Sequence, residues 1–539
     1  MIDIYLQTIV KDAAEKLGIT LALENIVIET SKDSSHGDYA TNIAMQLARS
    51  LRKSPRDVAA LLIENLNKEA MMKVEIAGPG FINFFLKPEV LTKYLEEIVE
   101  KGANYGNGAI KNKTVNIEFV SANPTGKLHL GHARGAAVGD SLARLFAKSG
   151  YKVIREFYVN DAGVQINNLG KSLYVRYLNE LGIKKSMPED GYYSEDLIAI
   201  AKTLVAEVGN KYVEESSDGL KYFMDRGSEI LLEIIKEDLH KFKVDFDVYT
   251  YETNVKANNA IARLLEKLAP FTYVEEGATF LKTSDYGDDK DRVIIKSNGE
   301  HTYFLPDIAY HLDKLSRDAD LLIDILGADH HGYIGRMKSA LQMFNYDAAT
   351  LEVQIIQMVR IIKDGQELKM SKRTGNAITL EELANEVGVD AARYFFIAKS
   401  ASTHFDFDLD LAQEQSSANP VYYAQYAHAR LSTVLLKGEK YPLDISGRLL
   451  KESAELSLMK QLIAYPSVVS DATVTREPYK VANFIQKLAS LVHSYYTEVR
   501  ILDETNVALT SARLGLSKAV QIVLKDALSL LGVSAPKSM

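Results

Sequence analysis

The sequence predicts a multidomain α/β protein: a Rossmann-like, doubly wound sheet in the middle, a small α+β domain before it and an all-α domain after it. Three observations lead there. Residues 115–148 read as strand, turn-rich loop and long helix, the first unit of a doubly wound sheet. Apolar runs at 320–326 (DLLIDIL) and 353–362 (VQIIQMVRII) supply further parallel strands. Beyond about residue 377 helical patterning dominates to the end. A chain of 539 residues also exceeds one ordinary core, since domains run to roughly 150 residues.

From the N-terminus, Ala40 to Leu66 predicts two amphipathic helices broken at Pro55, with apolar residues three and four apart. Val74 to Leu86 (VEIAGPGFINFFL) predicts two strands around a Gly-Pro-Gly turn. Together they close a small domain over residues 1–108, which ends in the joint Gly102 to Gly108 (GANYGNG). The doubly wound domain is expected over 112–376. It begins at Val115 to Val120, passes through the loop Ser121 to Lys127 (SANPTGK) and continues as a helix from about His129 to Lys148. Residues 161–270 are mainly helical and read as an insertion, and 377–539 as a helical bundle.

Hydrophobic residues make up 47% and charged residues 25%, the balance of a soluble globular chain. No run of about 18 apolar residues predicts a membrane span, and Asp3 stands where a signal peptide would be basic. With no cysteine there is no disulfide, no thiolate nucleophile and no Cys-ligated metal. A cytoplasmic enzyme fits. The net charge of −9 is uneven: residues 420–539 hold 14 basic and 10 acidic side chains, so a mildly basic module ends an acidic body. That asymmetry suits a protein that docks a polyanion at one end.

The chemistry concentrates in two segments. Ser121-Ala-Asn-Pro-Thr-Gly-Lys-Leu-His-Leu-Gly-His132 is not a phosphate-binding P-loop, because Ser121 replaces its first glycine and Leu128 follows Gly-Lys. It does place His129 and His132 on one face of a helix start, where orphan N–H groups suit phosphate. Gly131, Gly135 and Gly139 bare one side of that helix to a ligand or to neighbouring backbone. No HExxH accompanies the histidines, which argues against zinc. The second segment, Lys369-Met-Ser-Lys-Arg373, follows a hairpin turning at Asp364-Gly365. Its three cations can fold over a triphosphate and neutralise leaving-group charge. Either segment alone is an ordinary surface feature; the pair, in this order, is not.

His129-Leu-Gly-His132 resembles the HIGH motif, and Lys369-Met-Ser-Lys-Arg373 the KMSKS motif, of class I aminoacyl-tRNA synthetases. More specifically, Ile117-Glu-Phe-Val-Ser-Ala-Asn-Pro-Thr-Gly-Lys127 and His36-Gly-Asp-Tyr-Ala-Thr-Asn42 resemble segments of arginyl-tRNA synthetases. Asp390-Ala-Ala-Arg-Tyr-Phe-Phe396 is similar to the element that names their anticodon-binding (DALR) domain, and Leu531-Gly-Val-Ser-Ala-Pro536 is typical of their end. The resemblance, to the bacterial type, covers essentially the whole chain.

That resemblance implies ATP-dependent activation of L-arginine to arginyl-adenylate and transfer to the 3′ end of arginine tRNA, with the first step requiring bound tRNA. It implies a phosphate site of Lys127, His129, Gly131, His132, Lys369, Met370, Ser371, Lys372 and Arg373. The guanidinium falls to Tyr303 and Asp307, in Tyr303-Phe-Leu-Pro-Asp307, and to Glu252, which follows a bulky Tyr251 where some relatives have glycine. Pro306 predicts an extended or turn backbone between Tyr303 and Asp307. The substrate's α-amino and carboxylate groups fall to Ser121, Ala122, Asn123 and His132, with Glu118 nearby. His331 stands where some relatives have glutamine. Magnesium is expected to arrive with ATP, held by phosphate and water without a resident protein metal. For tRNA the candidates are Tyr39 and Asn42 at the elbow and Tyr422, Tyr423, Tyr426, Arg430, Tyr495 and Tyr496 at the anticodon. The chain is expected to act as a monomer, off the membrane. Two rivals stay open at this stage: another adenylate-forming class I ligase, and a non-catalytic tRNA-binding paralogue.

Overall fold

The protein is seen as a computed structural model that describes residues 2–30, 36–257, 259–328, 332–368 and 378–539. It opens with helix α1 (Ile2–Lys16), then strands β1 (Glu29–Thr30) and β2 (Tyr39–Thr41). Helices α2 (Ile43–Leu51) and α3 (Pro55–Asn65) follow, divided at Pro55 as the spacing predicts. Pro55 is the first helical residue, where a missing N–H breaks no helix bond, and the Ser54 hydroxyl accepts from the Asp57 N–H (3.2 Å). The predicted hairpin is β3 (Met71–Ala77) and β4 (Phe81–Leu86); the antiparallel sheet runs β1-β2-β4-β3. Helix α4 (Pro88–Lys101) then leads into the glycine-rich joint. That joint is packed: the Gly108 N–H donates to the Lys148 carbonyl (2.8 Å), and a side chain at Gly108 would meet the Ser149 backbone.

Strand β5 (Thr114–Glu118), buried along its whole length, is the middle of the main sheet. Helix α5 (Leu130–Lys148) returns to β6 (Lys152–Val159) on one side of β5. The helical part of the insertion is α6 (Val164–Glu180), α7 (Asp196–Val208) and α8 (Ser217–Lys241), with its own core around Tyr177, Leu197 and Phe223. The chain is back in the sheet at β7 (Val248–Tyr251), parallel to β6, so the insertion ends well before residue 270. Helices α9 (Glu252–Lys256) and α10 (Ala260–Leu268) lead to a small antiparallel sheet that the pattern did not reveal: β8 (Thr272–Glu275), β9 (Ala278–Leu281) and β10 (Arg292–Ile295). Helix α11 (Phe304–Ser316), β11 (Leu321–Gly327), α12 (Tyr333–Met343) and β12 (Leu351–Ile356) complete the parallel order β12-β11-β5-β6-β7. The chain winds to opposite sides from β5, which puts the ligand crevice beyond its carboxyl end.

The apolar run 353–362 is two strands. Exposed Met358 separates β12 from β13 (Val359–Lys363), which leaves the main sheet and turns at Asp364 (φ 51°) and Gly365 (φ 70°) into β14 (Gln366–Glu367). Two positive φ angles are what the two-residue turn requires. After α13 (Leu380–Val387) and α14 (Val389–Ile397), β15 (Phe405–Asp408) pairs parallel with β13. A sheet therefore spans residue 377, and the purely helical region starts later: α15 (Leu409–Gln413), α16 (Pro420–Lys437), α17 (Ser453–Thr475), α18 (Tyr479–Glu498) and α19 (Val507–Leu530). Among the described helices, α19 alone is long and apolar enough to cross a membrane, but 67% of its most apolar stretch is buried inside the protein.

Helix α5 joins all three regions. Lys148 donates to Asp526 on α19 (2.7 Å) and to the Ala103 carbonyl in the joint (2.9 Å). Midway, Asp140 receives Arg393 of α14 (2.5 Å), which also donates to the Leu531 (2.9 Å) and Phe242 (3.0 Å) carbonyls. The segment that resembles the DALR element is thus a buried clamp. Gly532 (φ 67°) leaves room for it, since a Cβ there would lie 2.4 Å from the Arg393 guanidinium.

Candidate active site

The crevice begins where β5 ends. Val120 (φ 69°) and Ser121 (φ 38°) take the left-handed conformation, costly for a β-branched valine. Hydrogen bonds hold the kink: the Ser121 hydroxyl donates to Glu118 Oε1 (2.8 Å) and accepts from the Tyr158 N–H (3.1 Å). Further along, Asn123 donates to Gln165 of α6 (2.6 Å) and Ala122 is buried.

His129 caps α5. Its Nδ1 accepts from the Gly131 N–H (3.2 Å), while His132 Nδ1 accepts from the His129 N–H (3.3 Å), and the two rings stack 3.9 Å apart. A ring whose Nδ1 accepts carries its neutral-form proton on Nε2. The pair therefore satisfies two helix-start donors and keeps two Nε2–H groups as donors. Within the glycine stripe Gly139 serves packing, since a Cβ there would lie 2.3 Å from the Phe119 ring, while one on Gly135 would make ordinary contact with Ile356 (4.0 Å).

Lys127 sits in a side-chain network. Its ammonium is taken by Glu381 on α13 (3.0 Å) and Asp196 on α7 (3.4 Å), and the hydrogen bond to Glu381 raises its pKa. The Leu380 N–H donates to the Leu128 carbonyl (2.8 Å) beside it, and His129 pairs with Thr379. The start of α13 is thereby pinned to the histidine motif. Residues 369–373 and His331 lie outside the described residues.

The three predicted carboxylates converge. Tyr158 near the end of β6 has its phenol pushed above the usual range by burial and by Glu252, Asp307 and Glu118, in that order. Glu252, at the first turn of α9, is buried and paired with Lys256, and Asn160 faces it (2.6 Å). Asp307 lies in the first turn of α11, contrary to the expected extended backbone. Pro306 is tolerated because the first helix N–H groups have no intrahelical acceptor to lose. Burial lifts the Asp307 carboxyl to about 6; His311 and Arg336 pull it down, Glu118 and Asp324 push it up. Tyr303, one helical turn earlier, is 78% exposed at the helix cap.

Beneath them runs a layer that sequence reasoning missed. Lys314 of α11 has no exposure and binds Glu118 together with Asp324 of β11 (2.9 Å). His311, one turn before, links Asp324 (2.8 Å) to the Asp307 carbonyl (2.8 Å). The i, i+3 spacing of His311 and Lys314 was the only available signal, and it resembles that of any amphipathic helix. Among the described residues no group of three or more His, Asp or Glu is arranged to hold a metal ion.

Residues 5–86 match the family described as the arginyl tRNA synthetase N terminal domain, 94–435 the class I (R) tRNA synthetase catalytic domain and 424–539 the DALR anticodon binding domain. The chain is 50% identical to an arginine–tRNA ligase of Bacillus subtilis, with 98% of each chain covered, and 49% identical to one from Anoxybacillus flavithermus at the same coverage. The chain belongs to the arginyl-tRNA synthetase family. It is an ATP-dependent ligase that joins L-arginine to arginine tRNA. A Thermus thermophilus arginyl-tRNA synthetase shares the fold over the full length of both chains, with TM-score 0.79 at 21% identity.

On the tRNA side the synthetase sorts the predicted tyrosines. Tyr39 (5% exposed) and Tyr495 (0%) are core residues and present no face to a base. Asn42 precedes α2 and accepts from Gln46 (3.0 Å). The others assemble on α16 and α18: Tyr422 stacks on Tyr426 (6.1 Å), Tyr426 on His493 (5.8 Å), and Tyr423 leans on His493 (4.3 Å). Arg430 lies over both Tyr426 (4.5 Å) and half-exposed Tyr496 (4.7 Å).

Proposed function

We propose that arginine is activated in the crevice beyond β5, with the residues assigned as follows. Asp307 and Glu252 take the guanidinium and Tyr303 closes over it. Glu118, held by Ser121, faces the α-ammonium, and Asn123 and His132 orient the α-carboxylate. The observation that carries this reading is the convergence of Glu118, Glu252 and Asp307 around Tyr158, next to the histidine-capped start of α5. One cationic substrate answers a pocket with that surplus of negative charge.

The α-phosphate of ATP sits at the N-terminus of α5, where the Nε2–H groups of His129 and His132 supply donors and Gly131 leaves room for close approach. The arginine carboxylate attacks that phosphorus in line; the bond to the β-phosphate oxygen breaks and pyrophosphate leaves. Lys369 and Lys372, with Arg373, neutralise the departing charge, and Ser371 and Met370 belong to the same segment. A terminal ribose hydroxyl of the tRNA then attacks the carbonyl carbon and AMP leaves. Magnesium enters with ATP on phosphate oxygens. Lys127 acts by tying the loop to Glu381 instead of touching phosphate. The working division is 1–108 for the tRNA elbow, 112 to about β15 for catalysis and the helices after β15 for the anticodon, where Tyr422, Tyr426, Arg430 and Tyr496 offer stacking faces. We infer a monomer that works in the cytoplasm, where its nucleotide substrates are.

ATP–pyrophosphate exchange tests this, with arginine or lysine and with or without arginine tRNA. Exchange with arginine only when tRNA is present supports the site and the tRNA requirement of the first step. Exchange with lysine overturns the pocket, and exchange without tRNA overturns the requirement.

A further inference from the structure

The amino-acid site has two ends, and the structure joins them behind the crevice wall. The Asp307 carbonyl accepts from His311 Nδ1 (2.8 Å), and His311 Nε2 meets Asp324 Oδ2 (2.8 Å). Asp324 Oδ1 accepts from Lys314 (2.9 Å), Lys314 also donates to Glu118 Oε2, and Glu118 Oε1 accepts from Ser121 (2.8 Å). Ser121 ends the chain on the Tyr158 N–H (3.1 Å). Apart from the two ends, every member is buried, and the Tyr310 ring (4.3 Å) covers the Lys314 ammonium. β5 and β11 are neighbouring strands with Glu118 and Asp324 in register, and these side chains tie α11 to both of them.

Such a chain is expensive to bury and adds little net stability over an apolar filling. Ordinary packing would not need it. It does accomplish one thing an apolar filling cannot: it fixes the direction of Glu118 and the backbone of Asp307 relative to each other. Both oxygens of Glu118 are occupied from behind and from the side, so its rotamer is locked. The His311 ring is held between the Asp307 carbonyl and Asp324, with the Tyr333 hydroxyl 3.5 Å from Nε2, and so braces Asp324 from the other flank. Lys314 sets one buried ammonium between Glu118 and Asp324.

We propose that Lys314 and His311 are positioning residues for arginine: together with Asp324 they form a buried relay that holds the guanidinium end at Asp307 and the α-amino end at Glu118 and Ser121 at a set separation. This rests on the assignment of the crevice as the arginine site. The relay makes the enzyme measure the length of its substrate, since both ends must be filled without moving either wall.

The test is steady-state pyrophosphate exchange by the full chain, saturated with arginine tRNA, for Lys314→Met and His311→Asn. Asparagine retains a donor toward the Asp307 carbonyl and deletes the link to Asp324; His311→Gln is the reverse. The relay predicts an arginine KM raised about tenfold or more with the ATP KM within about twofold. It also predicts that shorter and longer guanidino amino acids lose less than arginine does, so selectivity for length narrows. Lower thermal stability with unchanged arginine KM and unchanged length selectivity overturns the proposal. Should Lys314→Met not fold, the two His311 variants decide alone. Asp307→Asn and Glu118→Gln separate the layers: if neither raises the arginine KM, the site assignment fails; if both do while the Lys314 and His311 variants do not, only the relay fails.

Discussion

Replacing Asp307 by asparagine should make the protein more stable and the enzyme worse. Burial raises this carboxyl from 3.8 to about 6. A raised carboxyl pKa means that the folded state favours the protonated form. Its contribution to stability is complete below pH 4 and is lost as pH climbs through 6. A shift of about two units corresponds to about 3 kcal/mol, and partial exposure to the crevice lowers this to about 2 kcal/mol at pH 8. Asp307→Asn removes the charge that causes that loss. Urea unfolding should therefore show the variant more stable than the wild type at pH 8 and equal to it near pH 4. Arginine recognition should move the other way. The ionised carboxylate is the binding form, so wild-type kcat/KM for arginine should fall about tenfold per pH unit below pH 6. The variant should show no such break, and an arginine KM higher by about a hundredfold or more, the consequence of a guanidinium left without its ionic partner. A variant that is less stable at pH 8, or that keeps the break near pH 6, would refute the reasoning.

Three further outcomes follow from the geometry. Gly139→Ala forces a methyl into the Phe119 ring beneath the crevice loop, and should cost about 1–3 kcal/mol in thermal unfolding while lowering kcat. Arg393→Met takes the buried guanidinium from Asp140 and from the Leu531 and Phe242 carbonyls, leaving Asp140 with Arg144 (2.7 Å); denaturant titration should show a loss of about 2–4 kcal/mol, smaller when Asp140→Asn is added. Tyr426→Ala should weaken tRNA binding by about 1–3 kcal/mol in filter-binding titrations with arginine and ATP constants unchanged, whereas Tyr495→Phe, in the core, should leave tRNA affinity as it is. An equal effect of both tyrosines would remove the stacking surface from α16 and α18.

The local devices were legible in the sequence because their causes are local. Pro55 behind Ser54, the Asp364-Gly365 turn and the helix opening at His129 each depend on residues within a few positions, and each stands where the pattern placed it. Motif order identified the family, since paired short segments carry more information than fold class. Where local rules conflicted, position decided: Pro306 argued against helix, but in a first turn it has no bond to break. The run 353–362 shows the same limit, because apolar periodicity does not record that a strand changes sheets at Met358. Burial was equally hidden, and Tyr39 and Tyr495 look like Tyr426 and Tyr496 in a list of residues but not in the fold. By itself the sequence determined the chemistry available: which groups could bind a cation, a phosphate or a base. Only the tertiary structure decided which of them meet. Glu118, Glu252 and Asp307 are far apart along the chain and come together because parallel strands all end at one crevice. The Lys314 relay exists because an ammonium buried between β5 and β11 must find carboxylates there.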